Sequence, residues 1–273
     1  MKKATRKLCI AAAAAGVCLS LFSGPALAAE AEGEAPSAEL SVDVLSQYIW
    51  RGFAFSRNSV VIQPSMTVGY KGFSANIWGN LDTDPYSVST DEKNNWNETD
   101  LTLAYDWAMG PVSMTGGYIY YGLEGVNDTQ EIFLAAALDT LLSPTLTVYK
   151  DIANLSGWYV TLGVSHAVPV SGDIALELGA QAGYLRANEP SSYEEVDGNG
   201  TGTGKAYRAL HDGVISAALP IPVGKYMTIT PKVSYSFALS GDASDLLKAA
   251  NESSIAKRDA NFFYGGVALG MAF

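Results

Sequence analysis

His211-Asp212 is the pairing in this chain that most invites a catalytic reading, because an aspartate beside an imidazole can orient it toward a distant serine nucleophile. Asp197-Gly198-Asn199-Gly200-Thr201-Gly202 invites a metal reading. It offers oxygens at the first, third and fifth positions of a calcium loop and glycine at the sixth, but the twelfth position is Arg208 instead of a bidentate Glu. A Gly-rich loop tip is therefore expected there, and no metal. The pairs Gly79-Asn80 and Gly116-Gly117 lack the strand-to-helix setting of a nucleotide loop and read as strand glycines, so no cofactor is implied. The remaining candidates are charges set singly among apolar residues, Arg51 and Lys232 against several Asp and Glu. Their chemistry depends on which face of a sheet they occupy.

The chain opens with a leader. Met1 to Lys7 carries four basic residues, 8 to 22 is apolar and alanine-rich, and Ser23-Gly24-Pro25 breaks any helix before Ala26-Leu27-Ala28. This reads as a secretory signal over 1–28, cut after Ala28. A lipoprotein leader built on Cys18 fits poorly, since Val17 stands where a small residue is needed. Both cysteines, Cys9 and Cys18, leave with the leader, so the mature chain has no thiol for a disulfide, a metal or a nucleophile. Four of the 17 basic residues also leave, and the remaining 13 against 28 acidic ones give a formal charge of −15. A strongly acidic exported protein is a poor partner for nucleic acid.

Beyond residue 28 no apolar run approaches the roughly 18 to 20 residues that a spanning helix needs. Apolar and polar residues instead alternate in segments of about ten, the pattern of barrel strands. Ile229, Val233, Tyr235 and Phe237 share one face while Thr230, Lys232, Ser234 and Ser236 share the other, and the same period runs through 158–165 and 174–183. In a soluble sandwich the two faces would be core and solvent. In lipid a sheet can pair all of its backbone only by closing on itself. The last strand decides for lipid: Val267, Leu269, Met271 and Phe273 alternate to a terminal aromatic, resembling the signal by which outer-membrane barrels are recognised for insertion.

The expected fold is an all-β, closed antiparallel transmembrane barrel of twelve strands, at 40–50, 59–70, 73–81, 99–108, 111–121, 129–139, 144–152, 157–167, 172–185, 206–219, 225–239 and 260–273, preceded by an acidic lead-in over 29–39. Short links (71–72, 109–110, 140–143, 169–171, 220–224) alternate with long ones (82–98, 186–205, 240–259), which places the short turns in the periplasm and the loops outside. Tyr70, Phe73, Trp107, Tyr226 and Phe273 then form an inner aromatic girdle. Tyr118, Tyr120, Trp158, Tyr184 and Phe237 form an outer one.

Ser46-Gln47-Tyr48-Ile49-Trp50-Arg51-Gly52-Phe53-Ala54-Phe55-Ser56, followed by Gly72-Phe73-Ser74-Ala75-Asn76-Ile77-Trp78-Gly79-Asn80-Leu81-Asp82, resembles the TorF family of porin-like outer-membrane proteins (Gcw-chp type). Fainter likeness continues through 97–101, 118–121, 143–149 and the closing strand. The resemblance implies an outer-membrane barrel with a porin-like role, and supplies no catalytic or ligand residue. Trp50, Phe55 and the acidic loop 186–205 depart from the family's pattern.

Strand parity that sends Val42, Val44 and Tyr48 to lipid sends Asp43, Gln47 and Arg51 into the lumen. A guanidinium there needs acidic partners, for which Asp100, Glu131, Asp151 and Glu177 are inward candidates, with Lys232 as a second cation. An inward charge cluster can narrow the bore and filter ions, or can serve only to satisfy its own charges. With Asp82, Asp84, Asp91, Glu92, Glu189, Glu194, Glu195 and Asp197 in the loops, the mouth should enrich cations and prefer them weakly. His166 falls at the periplasmic end of its strand and His211 near the outer end of another, about 25 Å apart across the apolar band, so they cannot share one site. The expected function is passive diffusion of small solutes or ions through the outer membrane of a Gram-negative bacterium. The alternatives are a non-conducting barrel displaying acidic loops and a barrel hydrolase built on His211. Expected partners are outer-membrane lipid, the barrel-assembly machinery through the C-terminal strand, and small solutes, with no nucleic acid.

Overall fold

The computed structural model describes residues 35–84, 94–255 and 257–273. The leader therefore lies outside the described residues, as do Asp91 and Glu92. Among those described, the strands are β1 (Ser37–Leu45), β2 (Ile49–Trp50), β3 (Phe53–Ala54), β4 (Val61–Tyr70), β5 (Phe73–Asp82), β6 (Asn95–Met109), β7 (Val112–Leu123), β8 (Thr129–Leu138), β9 (Thr145–Asp151), β10 (Gly157–Ser171), β11 (Ile174–Ala187), β12 (Glu194–Val196), β13 (Gly202–Ala206), β14 (Arg208–Ala218), β15 (Ile221–Val223), β16 (Met227–Ala238) and β17 (Phe262–Ala272). One helix, α1, spans Gly241–Ile255.

Twelve strands close a ring in the order β1-β4-β5-β6-β7-β8-β9-β10-β11-β14-β16-β17, with β17 returning to β1 and every neighbouring pair antiparallel. The short β15 pairs beside β16 within the turn region 219–226. Closure leaves no edge of the ring unpaired, which is the condition a sheet must meet to sit in lipid. The alternation works as expected. Leu40, Val42, Met66, Ile77, Leu103, Ile132, Leu162, Ile215 and Leu269 point outward and exposed, while the residues between them face the lumen. Aromatics mark the short-turn rim, where Phe73 packs on Tyr105, Tyr105 on Trp107 and Tyr226 on Phe273. Lys71 and Lys225 lie over Tyr70 and Tyr226. Such rings suit the membrane interface.

The departures from the expected strands are at the ends. β1 stops at Leu45 instead of continuing to Trp50, β6 starts at Asn95, and β10 runs on to Ser171. The long links are not plain loops either. Residues 46–60 fold back into the barrel around the β2–β3 hairpin, 188–207 holds the β12–β13 hairpin, and 239–261 holds α1. These three pieces meet over the outer half of the lumen. Leu246, Leu247 and Ala250 of α1 join Tyr48, Trp50, Phe53, Tyr193 and Val196 in a single apolar cluster.

Candidate functional site

The site is the inward-folded segment and the wall it touches. Trp50 pairs with Phe53, and Arg51-Gly52 form the two-residue turn between them, with φ of 48° and 79°. Two successive left-handed residues make a turn that matches the twist of a hairpin. Gly52 is needed twice over, because a Cβ there would also stand 2.7 Å from a Leu247 methyl of α1. Parity read along β1 fails past Leu45 for this reason: Tyr48, assigned to lipid, is 5% exposed inside the barrel, packed on Phe55 and Trp78. Arg51 is brought inward by the hairpin and not by strand alternation. Gln47 is buried as well, donating to the Asn58 carboxamide.

Arg51 is held in a cage. Its two terminal nitrogens each donate to one oxygen of Glu131 on β8, both at 2.8 Å, a bidentate geometry among the strongest polar contacts available. Its carbon sits 4.2 Å from the Trp50 ring centre, 4.1 Å from Tyr159 and 5.1 Å from Tyr149. Burial alone would lower the guanidinium's pKa, but the Glu131 charge and hydrogen bonds outweigh it and hold the group above its ordinary value. Tyr121 donates to the same carboxylate at 2.7 Å.

The hairpin's backbone is tied down from two further sides. His211 Nε2 lies 3.0 Å from the Arg51 carbonyl and Nδ1 lies 2.8 Å from the Tyr207 hydroxyl. A carbonyl can only accept, so Nε2 carries the proton and Nδ1 accepts from Tyr207. Asn251 of α1 accepts from the Ala54 amide at 2.9 Å and donates to the Gly52 and Asp259 carbonyls. His211 and its neighbour Asp212 are both buried because the β11–β14 register shifts between Ala182 and Tyr184, a bulge that breaks strict alternation. Asp212 turns away from His211 and accepts from the Tyr159 hydroxyl at 2.8 Å.

The result is a sealed layer. Residues between 0 and 9% exposed come from eleven wall strands, including Val61, Trp78, Ile119, Tyr149, Leu185 and Phe262, while Gln47 and Tyr48 of the infolded segment lie inside β1. Below the layer, toward the short turns, the inward faces are small and polar. Ser65, Thr67, Asn76, Thr102, Thr115 and Ser234 are only partly buried there. Lys232 and Asp43 pair across this half at 2.6 Å, each side chain 25% exposed. Glu177 also faces inward in this half, opposite Ala218.

Of the other charges expected in the lumen, Asp100 and Asp151 are inward and buried within the layer. Asp151 accepts from the Thr129 hydroxyl and from the Ala153 and Leu155 amides. Only Glu131 reaches Arg51; the rest do not join it in one cluster. Asp82, expected in the exposed mouth, is fully buried and accepts from the Ser59 hydroxyl at 2.6 Å. The calcium-like loop is the turn of the β12–β13 hairpin. Its Asp197 carboxylate caps the Asn199 and Thr201 amides, and Arg258 donates to the Gly198 carbonyl. At the rim, the Tyr120 hydroxyl and the Leu123 amide hold the Asp128 carboxyl below the ordinary carboxylate range. His166 sits outside the lumen by the short turns, against the Leu141 carbonyl. The residues that sequence reasoning missed are Tyr121, Tyr159, Tyr207 and Asn251, whose roles depend on distant partners.

No protein-family model and no curated protein matches this chain. Solved structures do. The KdgM porin is 12% identical with a TM-score of 0.50, the match covering 87% of this chain and 99% of that one. The NanC porin is 10% identical with a TM-score of 0.50, covering 86% and 98%. A second KdgM structure is a complex with disordered oligogalacturonate. At such identities the likeness establishes fold: this chain is a closed twelve-stranded barrel of the architecture seen in those porins.

Proposed function

We propose that the protein is a porin-like channel of the Gram-negative outer membrane, passing small solutes or ions by passive diffusion with a weak preference for cations, and that the sealed arrangement is its closed state. The observation that carries this reading is the make-up of the seal. Its centre comes from an infolded segment of the 46–60 link, whereas the wall beneath it is polar, small and partly open to water. A polar, partly open lower lumen offers ions and small solutes a wetted path once the outer layer moves aside. The acidic loops favour cations near the path, and a polyanion such as the oligogalacturonate of the KdgM complex is disfavoured by the same charge. Membership of the TorF family is part of the proposal, resting on residues 46–82.

Planar-bilayer recording tests it. Discrete current steps with reversal potentials on the cation side support the reading, and an anion preference counts against the selectivity. High ionic strength should blunt the preference by screening.

The buried layer favours a second reading, a non-conducting barrel that displays acidic loops. Wild-type protein separates the two, because a channel gives discrete steps with the infolded segment in place whereas a scaffold stays silent. The hydrolase reading finds no support at His211, both of whose ring nitrogens are engaged by Tyr207 and the Arg51 carbonyl.

A further inference from the structure

The lipid-facing wall near the short turns is not evenly filled. A groove of about 740 Å³ crosses it, from Pro36 at the foot of β1 over β4, β5 and β6 to Gly116 and Tyr118 on β7. Tyr70, Phe73, Tyr105 and Tyr118 stand along it, and Ala75 and Gly116 form its low points. Cross-strand pairing puts them all on the outward face: Phe73 lies opposite Tyr105, Ala75 opposite the exposed Leu103, Tyr105 opposite Gly116 and Leu103 opposite Tyr118. The depression has a plain origin in the sequence. Alanine and glycine occupy outward positions whose partners in the neighbouring strands are the bulky Val68 and Leu134.

The groove has the dimensions of a ligand site. Its volume falls within the roughly 300–1,000 Å³ typical of one. From β1 to β7, at about 4.8 Å per strand, it runs for about 19 Å, against about 15 Å for the half of a hydrocarbon core that one leaflet's chains fill. No charged side chain lines it. Its rim is different. Lys71, next in the chain to Tyr70, sits in the left-handed Lys71-Gly72 turn with φ of 50° and 83°. Its ammonium lies 5.1 Å from the Tyr70 ring centre, and no ion pair among the described residues includes it. An apolar trough that ends beneath a cation complements a molecule with a hydrocarbon tail and an anionic head. A second copy of the barrel fits less well, because its outer face is convex and a stable contact needs about 800 Å² on each partner.

We propose that this groove binds an acyl chain of a glycerophospholipid of the periplasmic leaflet, with the lipid phosphate on the Lys71 ammonium. The site rests on the reading that the short turns face the periplasm, and it is independent of conduction.

Native mass spectrometry of the barrel in detergent micelles tests it, with phosphatidylglycerol as the probe and lipopolysaccharide as competitor. The expected result is one phospholipid adduct that outlasts collisional activation strong enough to strip the others. Its retention should fall several-fold in Lys71→Ala and in Ala75→Phe, which fills the groove with an apolar ring suited to a lipid-facing wall. Lys225→Ala should retain it, since Lys225 stands over Tyr226 on the same rim but outside this groove. The proposal is overturned if no adduct outlasts the rest, if Lys71→Ala or Ala75→Phe keeps it as wild type does, or if Lys225→Ala loses it equally, which would make it a general property of the rim. A dimer that Ala75→Phe dissociates overturns it in favour of a second copy. Displacement by lipopolysaccharide overturns it together with the orientation, whereas a barrel that holds phospholipid and passes no current supports it and fails only the channel reading. Heat-modifiable mobility checks the fold of each variant. Should Ala75→Phe fail to fold, Lys71→Ala against Lys225→Ala decides.

Discussion

Arg51 and Glu131, eighty positions apart in the chain, meet through two hydrogen bonds of 2.8 Å each. They join the tip of the infolded hairpin to the β8 wall and are the one oppositely charged pair buried in the sealed layer among the described residues. Breaking such a pair from one side strands the other charge, at a cost of about 3–5 kcal/mol. Arg51→Ala should lower stability by that order in urea unfolding followed by tryptophan fluorescence. Arg51→Met with Glu131→Gln should recover part of the loss, because the introduced carboxamide can still accept from Tyr121. A single variant as stable as wild type would show that the latch does not hold the segment.

Replacing residues 48–55 with a short Gly-Ser linker removes the hairpin but leaves the twelve wall strands intact. More frequent and larger current steps are expected than from wild type in the same bilayer. Silence from this variant would leave the scaffold reading standing.

In the lower lumen, Lys232 and Asp43 are each 25% exposed, so their pairing contributes little stability, about 0–1 kcal/mol. Their effect should appear in ion selection instead. Lys232→Ala should move the reversal potential further to the cation side, and Asp43→Asn should move it back. Equal potentials for both variants would remove these residues from the ion path.

The seam that closes the barrel runs through Gly266, where an added Cβ would collide with the Val44 carbonyl oxygen. The β1–β17 pairing must therefore shift in Gly266→Ala. Loss of the heat-modifiable band on gels is expected for this variant. Gly241→Ala, with no atom within 4 Å of the added carbon, should run as wild type.

Asn251→Ala takes the acceptor from the buried Ala54 amide. Each lost Asn251 hydrogen bond costs about 0.5–1.5 kcal/mol, and the loss should appear both as a lower urea midpoint and as more frequent opening. An unchanged midpoint would mean that α1 merely covers the hairpin.

Much of the barrel can be read from local pattern. Alternation from Met227 to Ala238 and from Phe262 to Phe273 is a property of neighbouring residues, each strand being wet on one side and greasy on the other. The helix was also within reach: Ser240 accepts from the Ala243 amide as an N-cap, and Asp242 follows in the first turn. Read as a polar link, 240–259 hid Leu246, Leu247 and Ala250. The infolded hairpin was harder. Parity carried from Val44 to Tyr48 assumes that the strand continues, and nothing within those residues marks where β1 ends and the chain turns into the lumen.

The amino-acid order by itself determined the closed twelve-stranded wall, its outward apolar face and its inward charges, because a strand's two faces answer to lipid and water residue by residue. Only the tertiary structure decided that Arg51 meets Glu131 and neither Asp100 nor Glu177, that His211 braces a carbonyl, and that the outer lumen is filled. Those outcomes depend on where a loop packs once the wall exists. Contacts between residues eighty or more positions apart leave no periodic trace in the chain.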